Sequence, residues 1–280
     1  MKLFWFEIVK TFSRWRTYIG FGFIALVVIL TEVVMKLSAG EIVYRMTKSL
    51  QKDFLIFGNI LNGWFVTAFI MNSLHFHIPF LIALVAGDMV SGEATSGTVR
   101  LLLIRPPSRT KIITAKYVTT LFYTTGLVIF LGLMCTLPGL ALFGSGDLII
   151  HHYGKFGIVF IPEVEIPIRM LFAFLAAIWA MTVVASIAFL LSTLVENSVG
   201  PIIGTMAVVI VFLVIGNFPF DFFRDIKPYL FTTYMVFWQR FLDDPIPWKE
   251  IVTSAIILGL HSIGLFFIAF GTYARKDIKS

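Results

Sequence analysis

The chain has 280 residues, of which 58% are hydrophobic and only 14% charged, with a mean hydropathy of +0.92. Globular domains carry about 25% charged residues, so this composition excludes a water-soluble domain. The formal charge of +6 does not indicate nucleic-acid affinity, because the basic residues flank apolar stretches, and the lone Cys135 excludes an internal disulfide framework or a cysteine-based zinc site.

In the segment 1–16, Trp5, Ile8, Phe12 and Trp15 recur at helical spacing, with Lys10 and Arg14 off that stripe. This pattern predicts an amphipathic helix lying in the cytoplasmic interface; a plain extension of the first span remains the alternative. A secretory signal is not expected, since the basic region is long and Leu37-Ser38-Ala39-Gly40 is a poor cleavage site. Apolar stretches at 17–35, 54–86, 113–143, 168–194, 199–217 and 251–272 then predict six crossings. Together they make one all-α, polytopic transmembrane domain with both termini on one side. Glu32 lies near the outer end of the first span, within expected reach of water. The stretch 54–86 carries Asn59, Asn62, Asn72, His75, His77 and Pro79, so its first half is read as a lead-in helix and 72–86 as part of the crossing. Pro138-Gly139 is expected to end the third membrane helix. The outer segment 218–250 is broken by four prolines and predicts short helices on the outer face, with Trp238 and Trp248 at headgroup depth. Residues 273–280 form a cytoplasmic tail.

Lys and Arg near the span ends set the orientation. With the N-terminus inside, the inner segments hold twelve basic and five acidic residues, against ten and eleven outside. Both termini are therefore expected in the cytoplasm of a prokaryotic cell bounded by its cytoplasmic membrane.

A nucleotide-consuming protein needs a phosphate cradle, and no G-x-x-x-x-G-K-[ST] or G-x-G-x-x-G motif is present. No serine elbow, H-E-x-x-H or acidic pair is found either, so the chain is expected to be no enzyme and to hold no metal or cofactor of its own. Polar groups inside the spans are costly. Asn72 and His75 share a helical face, with His77 on another, and His261 sits in the middle of the last span. These residues fit interhelical hydrogen bonding, with a substrate path as the functional alternative.

The polar island 88–112 lies between two spans on the cytoplasmic side. Asp88 and Glu93 follow the second span, Gly92 and Gly97 loosen the backbone, and Ser96 can cap a short helix from Thr98 to Arg105 that ends at Pro106-Pro107. Val99, Leu102 and Leu103 share one side of that helix, which suits a partner's groove or the inner leaflet. The series Gly87-Asp88, Gly92-Glu93, Gly97-Thr98, Leu101-Leu102-Leu103, Arg105-Pro106, Ser108-Arg109 and Lys116 resembles the signature of ABC-2 type transporter permeases. Ile226-Lys227-Pro228 is similar to that family's outer segment, whereas Ala94-Thr95-Ser96 departs from its more acidic run.

The resemblance implies the permease subunit of an ATP-driven exporter. It would dock on a separate ATP-binding cassette subunit, which holds ATP and Mg, and pair with a second permease copy or a homologous permease within membrane lipid. Carried over by position, Glu93 fixes the loop and Gly97-Thr98 start the coupling helix. Leu101 and Leu102 meet the ATPase groove, while Pro106 and Arg109 end and anchor the element. An ATPase-independent secondary transporter or channel is the rival class, and an integral membrane enzyme a weaker one.

Overall fold

A computed structural model of the protein describes residues 2–41, 60–95, 108–151, 157–217 and 221–275. The chain opens with α1 (Lys2–Phe12) and α2 (Trp15–Leu37), followed by α3 (Gly63–Leu74), α4 (Ile78–Ala86) and the single turn α5 (Ser91–Thr95). The long α6 (Arg109–Phe143) leads through a small hairpin, β1 (Leu148–His151) and β2 (Ile158–Ile161), to α7 (Ile166–Leu194) and α8 (Val199–Asn217). Short helices follow, α9 (Asp221–Arg224) and α10 (Phe231–Tyr234), with 3-10 turns at Lys227–Tyr229 and Phe237–Leu242, before the last helix α11 (Trp248–Arg275).

Helices α2, α6, α7, α8 and α11 are each long and apolar enough to cross a membrane. The pair α3–α4 meets the same test only jointly and is bent by 56° at the break between them. In hydrocarbon every backbone polar group must be satisfied within its own segment, which is why such apolar runs become helices. The chain is an all-α membrane protein.

Helix α7 is the axis of the bundle. Its apolar stretch is 56% buried, against 17–39% for the other four long helices, and it packs against α4, α6, α8 and α11. Buried Ala173, Ala176, Ala180, Ala185 and Ala188 keep its surface low, so neighbouring backbones approach closely. We call the end of the bundle that gathers α1, α5 and the last turn of α11 the near end.

Four sequence expectations change here. Pro138-Gly139 does not end the membrane helix: α6 continues to Phe143 with Pro138 inside it. A proline removes one backbone donor, a loss that a membrane helix tolerates within a packed bundle. Gly139 instead marks a helix crossing, because a Cβ at Gly63 of α3 would stand 2.6 Å from the backbone of Leu140 and 2.7 Å from that of Gly139. The helix stops at Gly144, whose φ of 73° suits glycine, and the Gly144 carbonyl accepts from Gly63 N at 2.8 Å. Glu32 does not reach water, since α3 and α6 close over it and leave it 1% exposed. Trp238 is buried while Trp248 is exposed. The segment between α8 and α11 folds inward, bringing Phe231 to a ring distance of 6.5 Å from His261, about 20 Å along α11 from Trp248 at helical rise. Finally, β1 and β2 pair antiparallel with Leu148 opposite Ile161 and Ile150 opposite Val159, a hairpin the sequence reading did not anticipate.

Gly63→Ala is expected to lower the thermal midpoint of the purified protein by forcing α3 off α6, at a cost of about 1–3 kcal/mol. Gly22→Ala, where an added methyl meets nothing within 4 Å, is the control that should leave the midpoint unchanged.

A buried charge network as the candidate functional site

Helix α1 turns Glu7, Ile8 and Thr11 inward and leaves Trp5, Phe6 and Val9 exposed, with Trp15 exposed at the start of α2. The face it presents to the bundle is thus partly polar, centred on a carboxylate. That carboxylate meets Lys116, which α6 carries two turns from its start. Lys116 is 1% exposed. Its Nζ donates to Glu7 Oε2 at 3.1 Å, to the Met89 carbonyl at 3.1 Å and to Glu93 Oε1, which uses all three ammonium protons. Lys10, one turn along α1 from Glu7, donates to Glu93 as well. Two buried carboxylates are therefore neutralised by the buried Lys116 and the partly exposed Lys10, the condition under which buried charge is tolerable.

A second group lies beside the first. Asp88 accepts from Arg14 Nη1 at 2.7 Å and stands 3.5 Å from Arg16 Nη1, so two cations share one carboxylate. A cleft lined by Thr11, Arg14, Arg16, Thr17, Asp88 and Met89 opens here. Gly92 does not simply loosen the chain, because a Cβ there would run into the Asp88 carboxylate.

The turn leading into α5 is held from its other side by α7. Ser192 Oγ accepts from Val90 N and Ser91 N at 3.0 Å each, and Thr95 Oγ1 donates to the Glu196 carbonyl at 2.9 Å. The four residues Asp88, Ser91, Glu93 and Thr95 thereby tie one short stretch to α1, α2, α6 and α7.

Burial alone would raise the Glu93 carboxyl, but the charges of Lys116 and Lys10 and their hydrogen bonds outweigh it and hold the group below its ordinary 4.5. A depressed carboxylate contributes stability that is complete above its unfolded value and is lost as pH falls through the folded one.

Of the residues singled out in the sequence, Glu93 is a centre of the network. Arg109 is the first residue of α6, and its Nη1 donates to the Ala274 carbonyl at 3.5 Å, joining the start of α6 to the end of α11. Ser96, Gly97, Thr98, Leu101, Leu102, Pro106 and Pro107 lie outside the described residues. Asn72 and His75 have different partners from His261. The Asn72 side chain accepts from Gln239 at 2.8 Å and its carbonyl meets His75 Nδ1. His261 Nδ1 meets the Ile257 carbonyl at 2.8 Å, with Phe231 as its ring neighbour. Among the described residues no group of three His, Cys, Asp or Glu side chains is placed to hold a metal. Glu7 and Arg16 entered the sequence reading only among the charges that set orientation, and Lys10 and Arg14 besides only as residues off the apolar stripe of the first helix. Their signal was available: acids and bases alternate at one predicted depth, where each can meet an opposite charge.

These features define a helical membrane protein with a paired, buried charge cluster at one end. The chain belongs to a family described as "Protein of unknown function (DUF2705)", whose profile matches residues 25–279. It is also similar to the "Uncharacterized protein YhcI" of Bacillus subtilis (strain 168), with 27% identity over 230 residues, 78% of this chain and 71% of the relative. The family match takes in Asp88, Glu93 and Lys116 but begins after Glu7 and Lys10.

Lys116→Ala is expected to strand Glu7 and Glu93 in a dry site and cost about 3–5 kcal/mol, seen as a large drop in thermal midpoint. The double variant Lys116→Met with Glu7→Gln should recover part of that loss, because the two effects are coupled. In wild type the midpoint should hold steady down to about pH 4.5 and fall below it, and Glu93→Gln should flatten that fall.

Proposed function

We propose that this protein is the permease subunit of an ABC-2 type exporter, with six crossings and the near end in the cytoplasm of a prokaryotic cell. The α3–α4 pair is then one broken crossing, and α1 lies in the inner interface with Trp5, Phe6 and Val9 toward lipid. One observation carries the reading: the residues on either side of 96–107 are anchored to the bundle. On one side Asp88, Ser91, Glu93 and Thr95 bind α1, α2, α6 and α7, and on the other Arg109 binds the end of α11. A segment that receives force from an ATPase must pass it to the spans without slack, and this anchoring connects it to four of them, α2, α6, α7 and α11, and to the interfacial α1. Gly97-Thr98, Leu101, Leu102 and Pro106 form the coupling element in this reading, and ATP with Mg binds only at the partner.

Alternating access follows if closure of the ATPase dimer favours one arrangement of the helices over the other, since a ligand shifts an equilibrium only by its differential affinity. A second permease, of the same or a homologous sequence, completes the path. Arg14 and Arg16 with a single Asp88 leave one positive charge in excess, suited to a lipid phosphate at the inner surface. The second reading, a secondary transporter, draws on the break between α3 and α4, since interrupted helices frame substrate sites in such proteins.

Tagged protein purified in mild detergent from its native host should bring down an ATP-binding cassette protein in stoichiometric amount. Leu102→Asp and Gly97→Pro should each abolish that association while leaving the thermal midpoint of the permease within a few degrees. Purification without an ATPase, persisting after crosslinking in membranes, would displace this reading in favour of the secondary transporter.

A further inference from the structure

Glu32 is a buried acidic side chain outside the near-end network, and it sits at the opposite end of the bundle between α2, α3 and α6. It is 1% exposed, and its Oε1 has no hydrogen-bond partner. No described basic side chain pairs with it. Lys36, one turn further along α2, turns away to donate to the Leu142 carbonyl and lies 5.3 Å from the centre of the Phe143 ring. What does face Glu32 is a set of acceptors. The point where a Cβ of Gly139 would stand is 3.5 Å from Glu32 Oε1, 3.3 Å from the Gly63 carbonyl oxygen and 3.7 Å from Thr67 Oγ1. The one proton of Thr67 is already committed to the Gly63 and Cys135 carbonyls, at 2.8 and 3.2 Å. Cys135, the titratable neighbour from α6, is buried and offers only a weak donor.

An ionised carboxylate in this place would face oxygen lone pairs in hydrocarbon with no cation, which is among the costliest arrangements a bilayer protein can hold. A protonated carboxyl reverses the sign, because it is neutral and brings the one donor the acceptor set lacks. We propose that Glu32 is a proton-binding site sealed between α2, α3 and α6. While the three helices are closed the carboxyl keeps its proton. When α2 separates from the Gly63–Gly139 crossing and water enters, the O–H bond breaks, the proton leaves as hydronium and the carboxylate remains; reclosure takes one proton back. This site is independent of the partner ATPase and holds in either transporter reading.

The test is reaction of the full-length protein, in membrane vesicles at neutral pH, with dicyclohexylcarbodiimide, which enters from lipid and attacks protonated carboxyls. Peptide mass spectrometry should place the adduct on Glu32, several-fold above Glu93, whose carboxyl Lys116 and Lys10 hold below its ordinary value. Infrared spectra should show a protonated-carboxyl C=O band that Glu32→Gln removes. Glu32 left unmodified, with no such band, would overturn the proposal. So would protection of Glu32 from the reagent by excess sodium, which would make the site one for a metal cation. If the Gln variant fails to fold, the position of the adduct in wild type decides alone.

Discussion

A lysine ammonium without water must give each of its three protons to an oxygen, and at Lys116 the near end of this protein is organised around that requirement. The oxygens come from α1, from the turn before α5 and from α5 itself. Once they converge, the first helix cannot leave, the turn after α4 cannot slide, and α6 cannot rotate about its axis. The arrangement is coupled in energy as well as in space. Removing either sign leaves the other buried and unpaired, a far greater loss than the net worth of the intact cluster.

The two ends of the bundle solve the same problem in different ways. The near end gathers charges of both signs until they cancel. At the opposite end no described cation pairs with Glu32, and small residues close over it instead, with Gly63 and Gly139 letting α3 and α6 touch backbone to backbone. Arg169 shows a third solution, half screened by Glu165 and bound to the Asp243 carbonyl at 3.0 Å, where it pins the inward-folded segment between α8 and α11 to the central helix. A network that cancels is stiff and transmits displacement, whereas a sealed neutral acid responds when its seal opens. Those are distinct mechanical roles.

Helix α7 lets these ends act on one body. Its alanine-rich surface sets the spacing of four neighbours, and Ser192 near its end receives the two amides that begin the polar stretch. The turn before α5 is therefore joined to the centre of the bundle by hydrogen bonds.

Hydropathy alone determined the solvent, the all-α class and the position of the long helices, because a run of about 20 apolar residues in lipid has only one way to satisfy its backbone. Val199–Asn217 coincides with its predicted bounds, and the other long helices extend theirs by a turn or less at each end. Local rules failed where a neighbouring helix changed the outcome. Pro138-Gly139 reads as a stop in isolation, yet the touching backbone of α3 gives that glycine a packing role inside a continuing helix. Glu32 and Trp238 read as boundary residues from their distance to a span end, but burial is set by what packs over them, and that comes from distant parts of the chain. Glu93 stood out by its place in a motif, while its partners Glu7, Lys10 and Lys116 lie up to 109 residues apart in the chain. Pairing of charges across such separations is decided only when three helices meet, since a one-dimensional pattern records how many charges lie at a given depth and not which of them touch.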